Sequence, residues 1–180
     1  MEALGDLEPT PGAWAEYTVK SPQWSLRVRA SVLPDPAPAG RYWLELVTTA
    51  DNAPLQAMRL LVHGSPAKPG NLERIELYRP GQAPLELPAD GLANEPLTPR
   101  KPPRLVRGRE EAVQVPAGSF KAQRFDAGDV RLWKSRTVPL WGLVKSHSPR
   151  QTVELSSSGS SGAQSVFPHP PQGNGNDKTK

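Results

Sequence analysis

A chain of 180 residues with 36% apolar side chains and a net charge of +4 has material for one domain with a core and is short for two. Its 22 prolines and 15 glycines exclude a fold built on long helices, which both residues break. The absence of cysteine excludes disulfides, thiolate metal ligands and thiol nucleophiles, and no apolar run reaches the length of a membrane-spanning helix.

Residues 1–12 read as an N-terminal arm. MEALGDLEPTPG is acidic and Pro-bearing, the reverse of a secretory leader. Two placements follow: the cytoplasm, or the periplasm or cell envelope after removal of a leader upstream of Met1.

The β domain is expected over 13–156. WAEYTVK (14–20) alternates Ala15, Tyr17 and Val19 with Glu16 and Thr18. WSLRVRASVL (24–33) is the longest alternating run, with Trp24, Leu26, Val28, Ala30 and Val32 opposite Ser25, Arg27, Arg29 and Ser31. Period two over that length is the pattern of a half-buried antiparallel strand. LPDPAPAG (33–40) cannot continue a ladder and reads as a turn, and RYWLELVTT (41–49) returns from it. The segment 57–63 follows the same rule, although LQAMRLLVH (55–63) also fits a short helix. Further strands are expected at 72–79, 111–115, 119–125, 129–135, 142–147 and 150–156, each bounded by Pro, Gly, Asp or Asn. PAG (116–118), DAGD (126–129) and SPR (148–150) separate them as turns.

Between 80 and 104 the chain is Pro-rich with little alternation, which reads as a long excursion. The basic run Arg100, Lys101, Arg104, Arg107 and Arg109 lies at its end. Such a run is either a solvated loop or a contact for an anionic lipid or acidic partner. With so mild a net charge it does not suggest nucleic acid. Residues 157–180, SSGSSGAQSVFPHPPQGNGNDKTK, have the composition of a disordered tail. Val166 and Phe167 form an apolar pair there that could dock on the body.

About ten short strands and little helix predict an all-β domain. Its alternation leaves one apolar face and no amphipathic helix to cover it. The antiparallel sheet must therefore curl, as a half-open barrel or a sandwich-like fold. Strict alternation also places Trp43 beside Arg41, and Trp133 beside Arg131, on the polar face. Two readings account for them. A Pro-rich loop can cover each indole, or the four residues form a ligand or partner surface. Trp141 lies between Pro139 and Gly142, where PLWG marks a bend, and is expected to cap the core at that corner.

VPAGSFKAQRF, LWKSRTVPLWGLVKS and TVELSSSG together resemble a signature of exported bacterial proteins. The resemblance covers about residues 111–159, with Val115, Pro116, Ala117, Gly118, Phe120, Trp133, Ser135, Val138, Pro139, Gly142, Val144, Lys145, Glu154 and Leu155 as its pattern positions. It implies relatives of the periplasmic lipoprotein-carrier fold, a half-open barrel over an apolar cavity. These positions, Pro116, Gly118, Phe120, Pro139 and Gly142 among them, read as structural.

No catalytic constellation can be assembled. His63, His147 and His169 are isolated, and metal ligation needs converging donors. There is no GxSxG elbow, phosphate loop or GxGxxG, so no cofactor, metal or enzymatic activity is expected. Two functions remain. One is an extracytoplasmic carrier holding a lipid-like or other apolar small molecule in the curl. The other is an adaptor for an envelope protein partner, using the outer aromatic face.

Overall fold

The computed structural model describes residues 7–35, 40–50, 53–66, 70–88 and 105–168. Arg100, Lys101 and Arg104, His169, and most of the expected excursion lie outside them. Eleven strands occur, and among the described residues there is no helix: β1 (Trp14–Lys20), β2 (Ser25–Pro34), β3 (Arg41–Ala50), β4 (Ala53–His63), β5 (Leu72–Tyr78), β6 (Leu85–Leu87), β7 (Val106–Val115), β8 (Gly118–Ala127), β9 (Val130–Lys134), β10 (Leu143–His147) and β11 (Thr152–Gly159). The segment at 55–63 is therefore strand, and β6 forms inside the stretch expected as excursion.

All pairings are antiparallel and make one sheet in the order β6-β5-β4-β3-β2-β1-β11-β10-β9-β8-β7. Two meanders, β1 to β6 and β7 to β11, meet where the first strand pairs with the last. The sheet curls without closing into a barrel, and β6 and β7 are its edges. Curling brings β7 towards β10 and β11, and the Ala117 amide at the β7–β8 turn donates to the Leu155 carbonyl at 3.1 Å.

The alternation explains the core. Ala15, Tyr17, Ala30, Val32, Tyr42, Leu44, Leu60, Val62 and Ile75 from the first meander share one buried cluster with Val113, Val115, Ala122, Leu132, Val144 and Leu155 from the second. Burying such side chains is the main favourable term holding a sheet of this kind together. Two tyrosine hydroxyls lie in this buried region. Tyr42 donates to the Gly64 carbonyl at 2.8 Å, and burial pushes its hydroxyl up to about 12. Burial raises the Tyr17 hydroxyl as well.

Two local differences from the sequence pattern have simple causes. Trp24 stands before β2 rather than within it and is 45% exposed. Ser21 turns the chain there, accepting from the Trp24 amide at 3.2 Å through its hydroxyl. At the other end of β2 both faces are buried, Ser31 and Leu33 with Ala30 and Val32. Residues 160–168, part of the expected tail, run back over the sheet on that side, where Ala163 donates to the Gly12 carbonyl at 2.9 Å. The strand β11 itself continues to Gly159; residues 169–180 lie outside the described part.

Candidate partner-binding site

The corner between β9 and β10 is the most constrained backbone in the second meander. Lys134 ends β9, and the chain returns over 135–142. Ser135 donates from its amide to the Gly142 carbonyl at 2.8 Å, and Gly142 donates to the Pro139 carbonyl at 3.3 Å. Leu140 has φ +66°, the one non-Gly residue with positive φ among those described. That conformation costs an L-residue about 1–2 kcal/mol. Burial of the Leu140 side chain and a bond from the Glu8 amide to its carbonyl at 3.3 Å offset it. Gly142 has φ +68°, and a Cβ there would stand 2.8 Å from the Ser135 oxygen, so a glycine is required. Trp141 is 8% exposed and packs in the core cluster, closing the corner as its position between Pro139 and Gly142 suggested.

This corner forms one wall of a cleft of about 890 Å³. Phe125, Val138, Leu140 and Trp141 give it an apolar floor, and Gln123, Ser135 and Thr137 add polar groups. The charged lining is Arg107, Lys121, Lys134 and Arg136 against Glu8 and Glu110, four cations to two carboxylates. Lys121 pairs with Glu110 at 2.8 Å, which holds its ammonium above the usual lysine range. Arg107 donates to the Gln123 side-chain oxygen at 3.0 Å. Of the basic run named from the sequence, Arg107 reaches the cleft. Arg109 instead pairs with Glu111 at 3.3 Å. Lys121, Lys134 and Arg136 come from β8, β9 and the corner, and no linear pattern joins them.

Trp43 and Arg41 occupy β3, whereas Trp133 and Arg131 occupy β9. Five strand steps separate the two strands, roughly 24 Å at about 4.8 Å per step, so the four residues are two separate patches. Arg41 pairs with Asp35 at 2.9 Å and with Glu73 at 3.4 Å. Arg131 faces Asp126 at 3.8 Å and is largely exposed. Trp133 aligns with Arg124 and Lys145 across the ladder, and its indole N–H donates to the Glu111 carboxylate two strands away. Ala122, opposite Glu111 in β8, is small enough to leave that route open. The indole bond, helped by Arg109, holds the Glu111 carboxyl below the usual carboxylate range. The pattern positions Lys145 and Glu154 stand opposite each other and pair at 2.7 Å.

The first meander carries a second arrangement on the face of Trp43. The Arg59 guanidinium lies 4.5 Å from the Trp43 ring centre and 4.3 Å from that of Phe167, and it also pairs with Glu76. The Trp14 ring carries Arg29 at 4.1 Å, and its N–H donates to the Ser161 carbonyl at 3.1 Å. Among the described residues, the C-terminal segment lies over this side through Ser161 and Phe167. Among the described residues no three His, Asp or Glu side chains converge as metal ligands would.

No family profile and no curated protein matches the chain. Solved structures do. MucB, in a structure of its complex with MucA(peri), matches at 11% identity and a TM-score of 0.50, over 87% of this chain and 53% of the MucB chain. This chain therefore spans about half the length of that neighbour, and the likeness is one of fold. A protein described as a lipoprotein from Parabacteroides distasonis ATCC 8503 matches at 9% identity and a TM-score of 0.43, over 84% of this chain and 96% of its own. A protein described as exported, with a YmcC-like fold, from Bacteroides fragilis NCTC 9343 matches at 12% and 0.36, over 83% and 96%.

Proposed function

We propose that this protein is a non-catalytic adaptor of the bacterial cell envelope that holds an acidic, apolar-anchored segment of a protein partner in the cleft at the β9–β10 corner. The observation that carries the reading is the cleft's make-up. An apolar floor of Phe125, Val138, Leu140 and Trp141 is rimmed by more cations than carboxylates. Such a floor takes a hydrophobic anchor, and the rim steers and orients an anionic segment. A neighbour of the same fold, MucB, is seen with a protein partner, which lends weight to partner binding and, with it, to an envelope location. Strain concentrated at Leu140 fits a wall held in a working shape.

The carrier function has less support. The positions facing into the curl are taken up by packed side chains such as Tyr42, Leu44, Leu60 and Leu155, where a carrier needs unfilled apolar volume.

The test is a titration with two synthetic peptides of equal length, one alternating Glu with Phe and Leu, the other Lys with the same apolar residues. The acidic peptide is expected to change the Trp141 emission and to lose affinity as salt rises. Arg136→Glu combined with Lys121→Glu should weaken it at least ten-fold. Equal binding of both peptides, or lipid retained by the purified protein in native mass spectrometry, would sink the adaptor reading.

A further inference from the structure

Residues 160–168 are held on the β3–β5 face as a ligand is held. Glu45, in the middle of β3, is fully buried, and both its carboxylate oxygens are used by this segment. The Ser165 hydroxyl donates to one, and the Val166 amide donates to the other at 3.0 Å. The Ser165 oxygen also accepts from the Phe167 amide at 3.1 Å, which fixes the turn that delivers the ring. Phe167 then fills a niche of Val47, Ala57, Leu55 and Tyr78, with its ring 5.4 Å from that of Tyr78 and Arg59 over it.

Three features separate this contact from ordinary core packing. Phe167 belongs to a satellite cluster, apart from the main core. The segment leaves the end of β11 at Gly159 through Ser160, Ser161 and Gly162, small residues that let the chain turn away from the sheet. Its own side chains are otherwise mostly exposed, Gln164 and Val166 included. Few buried contacts place its opening at the low end of the local stability scale. Opening would uncover Arg59, Tyr78 and Glu45, with Trp43 beside Arg59, and Trp, Tyr and Arg are the residue types that dominate binding hot spots.

We infer that the β3–β5 face is a peptide-recognition cradle, that residues 163–168 occupy it in cis, and that a partner segment with a hydroxyl residue two positions before an aromatic displaces them. The hydroxyl and the following amide satisfy Glu45, and the ring fills the niche beside Arg59. This site is on the opposite meander from the cleft, so it stands whether or not the cleft binds an acidic segment.

The experiment uses the full chain and a fluorescein-labelled peptide, SGAQSVFPHP (161–170). In the wild type the cis segment competes at an effective concentration of order mM, and the peptide should bind weakly. The full-length Phe167→Ala variant, with its own plug loosened, should bind the same peptide saturably and at least ten-fold tighter. The peptide carrying Phe167→Ala should not bind, and the one carrying Ser165→Ala should bind several-fold more weakly. Should Phe167→Ala lose its strand circular dichroism, Val166→Pro, which removes the amide donor to Glu45, takes its place. A folded variant that fails to bind overturns the proposal. So does equal binding by wild type and variant. Unfolding of both variants overturns it too, because a segment whose loosening melts the sheet is core and not ligand.

Discussion

Leu132 and Trp133 are neighbours in β9, the first buried in the main cluster and the second half-buried against its edge. Leu132 is 3% exposed and lies across from Phe125 and Ser146, whereas Trp133 faces Arg124 and Lys145. Leu132→Ala should cost about 2–5 kcal/mol and Trp141→Ala about 3–5 kcal/mol, as emptied core sites do. Trp133→Ala should cost less than either, and urea unfolding of the three variants ranks them. A separate outcome concerns Glu111. Its carboxyl is held low in the folded chain, first by the Trp133 indole and then by Arg109. The interaction therefore stabilises fully above the ordinary carboxylate value of about 4.3 and fades as pH falls through the lower folded value. Trp133→Phe removes the indole donor, and an NMR titration should find Glu111 moved up towards the ordinary range. An unchanged Glu111 would assign the shift to the arginines. The buried side of Leu132 was legible in the sequence, because period-two alternation is a local property; the packing of Trp133 against the core cluster was not. Nor was the indole–carboxylate bond, since residues 111 and 133 meet only after β8 is placed between them.

At the scale of elements, the strands that alternate cleanly were readable and the ones that do not were hidden. The start of β7 escapes the pattern because the ladder shifts between Arg107 and Glu110; a bulge of this kind breaks the two-residue period. The short β6 is masked by the prolines around it, and its pairing with β5 is a tertiary fact. The strap at 160–168 looks unstructured by composition, yet Ser165, Val166 and Phe167 find Glu45 and the Val47 niche. Arg107 of the basic run lines the cleft, and Lys121, Lys134 and Arg136 converge on it from separate elements. The bend at PLWG was visible in its Pro and Gly. Its rigidity gives a further outcome. Gly142→Ala must hold φ +68° with a Cβ 2.8 Å from the Ser135 oxygen. It should cost roughly 1–3 kcal/mol, the scale of strained positive-φ backbone, and should reduce binding in the cleft by shifting Trp141. Thermal unfolding and the acidic-peptide titration check the two effects; a silent variant would show the corner to be pliable.

For the molecule as a whole, the all-β curled sheet followed from one-sided alternation without a covering helix, but the strand order did not. Nothing local tells β1 that its second neighbour is β11. Seven residue pairs join those strands, and their partners are separated by most of the chain, so the central ladder forms across the largest loop the chain can close. Folding should accordingly be slow, on the millisecond-to-second scale of non-local β proteins, which stopped-flow refolding followed by tryptophan emission measures. Microsecond refolding would contradict a late β1–β11 closure.

That ladder has a further consequence. The polypeptide link between the two meanders runs from one sheet edge to the other, between Leu87 and Val106, while the bonds that unite them lie in the middle. The protein is therefore, in its non-covalent contacts, two halves that happen to share a tether. Nicking the tether should leave one particle that migrates whole under native conditions and as two pieces in denaturant. Residues 1–88 and 105–180, made as separate chains, should find each other through β1 and β11 and rebuild the sheet, a split pair whose reassembly needs no engineered interface.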